Sequence, residues 1–232
     1  MGGQSKYTKY VEWIVIITLF LGVFFISKEL GLTKDLKSDT ILGKVTSIVG
    51  AIPVAFLVLA VHELGHLTVG LINGFRFELF VVGPLGIMRE DDKVKAYLNK
   101  NIAYYGGVAA TSPTRDSQDN AKKFARVLLA GPLASIVFFV FCLAFVPFTA
   151  PPLSTLFFMS GMISAVIFIV TTIPSRTGMF FTDRKRYQRL TTPGKEQDVE
   201  LAILKVMGQY SKDNSYQSVN EEDIKVLLTD DT

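Results

Sequence analysis

The chain has 232 residues, a net charge of +3, 49% hydrophobic residues and only 19% charged residues. Soluble domains carry about a quarter charged residues. Here long uncharged runs alternate with charged stretches, which excludes an ordinary soluble globule, a disordered chain and a disulfide-rich secreted module. Cys142 is the one cysteine, so no intrachain disulfide forms, and a charge excess this small gives no reason to expect a nucleic-acid partner.

Four apolar runs predict four membrane spans, at about 10–27, 45–72, 127–148 and 153–173, of which the third and fourth fit well the roughly 20 residues that a bilayer core requires. The first, Val11–Ile26, reaches that length with Tyr10 and Ser27. Lys6 and Lys9 precede it, but Phe25-Ile26-Ser27-Lys28-Glu29 offers no small-x-small cleavage site, so a retained anchor is expected rather than a cleaved signal peptide. Lys6 also breaks the myristoylation pattern. Tyr7, Tyr10 and Trp13 suit an interfacial aromatic belt.

The second run, Val45–Ile72, has 28 residues, too many for an upright span, so it tilts or protrudes. It contains Ala60-Val61-His62-Glu63-Leu64-Gly65-His66-Leu67, the pattern H-E-x-x-H on a helix. Histidines at i and i+4 share one helical face, about 6 Å apart, which suits two nitrogen ligands on one Zn²⁺. Glu63 then lies beside the metal, where it accepts a proton from water. The bland alternative is a helix with buried, satisfied histidines. Against it, ionisable groups inside a span are costly, and His62 and His66 are the only histidines in the chain. Gly65 is a poor interior helix residue that removes bulk beside the site. At 1.5 Å per residue His62 lies about 26 Å beyond Val45, roughly 10 Å inside the membrane from the nearer end.

Between the second and third spans, Phe75–Val82, Ile87–Arg89 and Val94–Leu98 read as strands of a small β-ribbon, with Glu90-Asp91-Asp92 as a turn. Asp116–Arg126 is a polar lead into the third span. After the fourth span comes Pro174-Ser175-Arg176-Thr177-Gly178-Met179-Phe180-Phe181-Thr182-Asp183. Catalytic zinc takes three protein ligands. Asp183 is a candidate for the third, held near the membrane by Met179–Phe181; it reads equally as a solvated acid paired with Arg184 or Arg186. Glu12 and Glu78 are weaker candidates. The tail predicts two helices, Gly194–Tyr210 and Asn220–Leu228.

Four spans put the N-terminus, the middle segment and the tail on one side. That side carries 20 of the 24 Lys and Arg residues and is expected to be cytoplasmic. The fold class expected is therefore an all-α polytopic membrane protein of four transmembrane helices with a small membrane-associated β-ribbon. Residues 1–190 form its core and residues 191–232 a helical cytoplasmic tail.

From about Val45 to Leu190 the chain resembles the site-2 proteases, membrane-embedded zinc metalloproteases. The resemblance rests on His62-Glu63-Leu64-Gly65-His66 within a span. It is supported by Val82-Gly83-Pro84-Leu85, Gly106-Gly107, Ala130-Gly131-Pro132-Leu133-Ala134 and an Asp after the last span. It implies His62, His66 and Asp183 as zinc ligands and Glu63 as general base, in a minimal, bacterial-type version without a PDZ domain. The family's usual Asp-Gly is Asp183-Arg184 here. An Asn common after the Gly-Pro is replaced by Ser135, and another in the last span by Thr171-Thr172; Ser135, Thr171, Thr172 and Arg176 are the candidates to replace their contacts to substrate.

The expected activity is an intramembrane zinc endopeptidase of the cell membrane. Its expected substrates are membrane-spanning or signal-peptide-like proteins whose extended backbone adds to the ribbon edge around Phe77–Val82. Two other readings stand beside it. One is a non-catalytic membrane protein on the same scaffold, acting in peptide binding, immunity or transport. The other is a zinc protease of the unrelated type with a Glu as third ligand. Substrate identity and oligomeric state are not encoded in any motif.

Overall fold

A computed structural model describes residues 6–34, 36–90, 93–177, 180–213, 215, 217 and 219–228. Among the described residues seven α-helices and six strands follow in chain order: α1 Lys6–Glu29, α2 Ile41–Ile72, β1 Arg76–Val82, β2 Leu85–Glu90, β3 Lys93–Leu98, β4 Val108–Ser112, α3 Asn120–Phe145, α4 Leu153–Thr172, β5 Arg176–Thr177, β6 Phe180–Phe181, α5 Asp183–Thr191, α6 Lys195–Asp213 and α7 Glu221–Leu228. The chain divides into two compact units, Met1–His62 with Pro132–Thr171, and Glu63–Gly131 with Thr172–Thr232.

Among the described residues three helical segments are long and apolar enough to cross a membrane: Ile41–Ile72, Asn120–Phe148 and Leu153–Thr172. The expected first span forms a helix, α1, but is not one of these three. The side chains of Tyr7, Glu12 and Trp13 lie outside the described residues, and with them part of the aromatic belt and Glu12 as a ligand.

In the first unit, Val146, Phe158 and Met162 form a core joined by Phe20, Val23, Leu143 and Phe157. The helices approach closely where side chains are small. A Cβ on Gly161 would meet Leu143 at 3.1 Å, and one on Gly50 would meet Leu156 at 2.8 Å. The buried Ser164 hydroxyl donates to the Ser135 carbonyl at 2.8 Å, so a polar group in an apolar setting is satisfied across α3 and α4. Leu42, Ile48, Ile52, Leu133 and Val137 remain exposed. Such a surface would be a liability in water and is the expected one against hydrocarbon.

The second unit holds an antiparallel sheet in the order β3-β2-β1-β4. Val82 pairs with Leu85 across the two-residue turn Gly83-Pro84. Gly83 takes its first position at φ +56°, where a side chain would be strained. The side-chain amide of Asn99 donates to the Gly83 carbonyl at 2.9 Å and ties down that turn. The expected three-stranded ribbon is thus a four-stranded sheet, and the fold is mostly helical rather than all-α. A short ladder, β5 with β6, adds a second sheet. Asp91 and Asp92, expected in a turn, lie outside the described residues. One expectation is corrected: β1 sits between β2 and β4, so Phe77–Val82 offers no free edge to a peptide. Strand β4 fills it, pairing Arg76 with Ser112 and Phe80 with Ala109.

Phe75, Phe124, Val127, Leu128, Leu190 and Leu204 form the unit's core. Leu204 lies on α6, so the tail shares a core with α3 and α5. The end of α2 packs against β4 at Gly70, where a Cβ would lie 2.8 Å from Thr111 Cγ2 and closer still to its hydroxyl. Gly70→Ala is therefore expected to destabilise the protein by about 1–3 kcal/mol through overpacking. A thermal melt in detergent checks this, and an unchanged melting temperature would show that Thr111 yields freely.

Candidate metal centre

α2 carries the motif well inside its 32 residues. One residue turns a helix by about 100° and four bring it nearly back to the same face. His62 and His66 therefore share a face while Glu63 looks aside. All three are buried. No residue between them interrupts the helix, so their relative placement is set by backbone geometry alone.

Each histidine is oriented by a contact at Nδ1. His66 Nδ1 lies 2.7 Å from the Val127 carbonyl. A carbonyl only accepts, so Nδ1 carries the proton and Nε2 of the neutral ring keeps its lone pair. His62 Nδ1 lies 2.9 Å from Ser135 Oγ. Ser135, considered from sequence as a substrate contact, is thus a histidine partner, anchored in turn through its carbonyl by Ser164. Thr171 turns its hydroxyl back to the Ile167 carbonyl at 2.9 Å, and Arg176 lies over the Phe181 ring at 5.4 Å.

Asp183 is the first residue of α5, behind the N-cap Thr182, whose hydroxyl oxygen accepts from the Lys185 amide. Its Oδ1 lies 3.4 Å from His66 Nε2. The two arginines that could have claimed it as a solvated acid point elsewhere: Arg184 lies over Tyr187, and Arg186 reaches Glu200. Glu78 is not in the cluster; it accepts from Arg76 at 2.9 Å and also from the Ser112 hydroxyl. Met179, expected to help hold Asp183, lies outside the described residues.

His62, His66 and Asp183 each offer one ligand atom, and the three atoms lie within 4.8 Å of one another. Two imidazole nitrogens and a carboxylate oxygen are a donor set that zinc accepts. Bonds of about 2.0–2.1 Å in a tetrahedron separate neighbouring ligand atoms by about 3.3 Å, close to the His66–Asp183 spacing. The residues present therefore fit the ion.

Two glycines shape the walls. A Cβ on Gly131 would meet His66 Cε1 at 2.6 Å and Cδ2 at 2.7 Å, with Nε2 nearer still. A Cβ on Gly107 would meet Glu63 Oε1 at 2.8 Å. Gly107 also sits at φ +93°, a conformation that L side chains rarely adopt. From sequence, Gly106-Gly107 reads as a turn or as a substrate-clamping element, and Gly131-Pro132 as helix-start punctuation or as a pair with a functional role. In the structure Gly107 and Gly131 let the backbone close on the Glu63 carboxylate and on the His66 ring.

A family model described as peptidase family M50 matches residues 50–219. The chain belongs to that family. The match begins on α2 ahead of the motif and ends beyond α6, and it bears out the resemblance to the site-2 proteases. Membership points to a membrane metalloprotease, and members of the family are zinc enzymes. No curated protein and no solved structure matches the chain.

Proposed function

We propose that this chain is an intramembrane zinc endopeptidase that cleaves membrane-spanning or signal-peptide-like proteins in or near their apolar segments. The observation that carries the reading is the convergence of two helix-borne imidazoles and one carboxylate, with Glu63 buried beside them. In this reading α1 is a fourth span, both termini are cytoplasmic, residues 1–190 hold the chemistry and residues 191–232 form a cytoplasmic tail. The home of the protein is the cell membrane.

His62, His66 and Asp183 would hold the ion. When bound, zinc polarises the scissile carbonyl and brings the pKa of water near 7. Glu63 takes the proton from the attacking water and delivers it to the departing amine, which is why one buried carboxylate with a fixed outlook suffices. Val127 and Ser135 contact the Nδ1 atoms of the two imidazoles and would leave their Nε2 atoms for the ion. Gly107 lets the loop before β4 shield the Glu63 carboxylate.

Purified protein is expected to hold stoichiometric zinc, measured by elemental analysis. Asp183→Ala is expected to lose most of that zinc and all measurable cleavage of a membrane-peptide substrate. Parent protein without zinc would favour a non-catalytic protein on the same scaffold. Retention of zinc and activity by Asp183→Ala would point to a different third ligand.

A further inference from the structure

Asp183 opens α5, a helix of nine residues. What holds that helix comes largely from α6. Arg186 and Arg189, one turn apart on α5, both reach Glu200. Arg189 Nε donates to Oε1 at 3.0 Å and Arg186 Nη2 to Oε2 at 3.3 Å. The Arg189 and Glu200 side chains are 2% and 3% exposed. Charges buried this deeply are tolerated only when paired, and a carboxylate bound at both oxygens by two guanidinium groups has its orientation fixed. Arg189 also lies 4.5 Å over the ring of Phe181, two residues before Asp183. The same guanidinium thus contacts the chain just ahead of Asp183 and anchors the end of the helix that Asp183 begins. Lys185 and Glu196 already pair near the surface, so joining α5 to α6 does not by itself require a buried pair.

We propose that Glu200 is a positioning residue for the metal centre: by holding Arg186 and Arg189 it fixes α5, and through α5 the Asp183 carboxylate beside His66. The proposal rests on the reading of Asp183 as a zinc ligand. It gives the helix following the catalytic core a part in the site without any contact to substrate.

The test uses full-length protein in detergent, with zinc affinity read by competition against a chromophoric chelator and folding read by thermal melting. Glu200→Gln keeps the shape and removes the charge; its zinc affinity is expected to fall about 10- to 100-fold, as for loss of a group that orients a ligand. Leu204→Ala loosens the same helix through its core. It is expected to lower the melting temperature while leaving zinc affinity near the parent's. Parental affinity in Glu200→Gln overturns the proposal. So does an equal loss in Leu204→Ala, because the role of Glu200 would then be ordinary stability. Should Glu200→Gln fail to fold, Arg186→Gln removes the more exposed contact and decides by the same criterion. If Asp183→Ala keeps its zinc, the ligand reading fails and the proposal with it. If Asp183→Ala loses zinc while Glu200→Gln binds as the parent does, the positioning role alone fails.

Discussion

The Glu63→Gln variant is expected to lose cleavage by about 100- to 10,000-fold, the usual worth of a positioned general acid–base, while binding zinc as the parent does. The amide has the size of the carboxylate and fits the same space against Gly107, so packing around the base is preserved. Its nitrogen and oxygen cannot take up a proton from water at neutral pH, so only the proton transfer is removed. The two measurements separate Glu63 from the ligands, because Asp183→Ala is expected to lose zinc and cleavage together. Near-parental turnover in Glu63→Gln would sink the mechanism. Loss of zinc from it would make Glu63 a ligand or a support for one. The same variant, uncleaving yet able to bind, is the natural trap for co-purifying membrane peptides.

Gly131→Ala should be nearly as damaging although it adds one methyl group. That methyl would overlap the ring of His66, whose Cε1 and Cδ2 lie 2.6 and 2.7 Å from the added carbon. The ring cannot simply slide away, because its Nδ1 is bonded to the Val127 carbonyl, one turn before Gly131 on α3. Relief requires the imidazole to rotate, which breaks that bond and turns Nε2 from Asp183, or requires α3 to shift within a packed core. Loss of a ligand's orientation costs about 10- to 100-fold in metal affinity, and cleavage should fall at least as far. Gly22→Ala is the matched control, since a Cβ there has no neighbour within 4 Å. Chelator competition on the two variants checks the prediction; a Gly131→Ala protein with parental zinc affinity would show that the helix yields at this point.

What could be read from the sequence divides along a physical line. The motif on α2 was legible because its chemistry lies in side chains at fixed helical spacing, and the two tail helices because capping and apolar periodicity are local. Strand β4 was missed because Val108-Ala109-Ala110-Thr111-Ser112 is short and built of small residues with little alternation. Its pairing beside β1 depends on the return of the chain through 99–107, which no local pattern states. That is also why β1 reads as an edge from the sequence alone. Helix α5 begins Asp183-Arg184-Lys185-Arg186, charged and brief, and reads as loop until Glu200 supplies partners for its arginines. The Val127 contact was not legible at all, because a backbone carbonyl leaves no mark on residue identity. Ser135 was noticed, but as a departure from a family pattern, and its role as a partner of His62 required coordinates.

The bond from His66 to Val127 has a consequence for how labour is divided during turnover. With Nδ1–H committed to a carbonyl and Nε2, facing Asp183, reserved in the proposed mechanism for the ion, this imidazole would have no nitrogen left with which to ferry protons. Histidine, the side chain most often used as a proton shuttle, is here reduced to a fixture. In the proposed mechanism, traffic in protons is left to Glu63, a carboxylate on the next face of the same helix. Holding and moving are thus assigned to neighbouring residues on one rod, and neither has to wait on a rearrangement of the other.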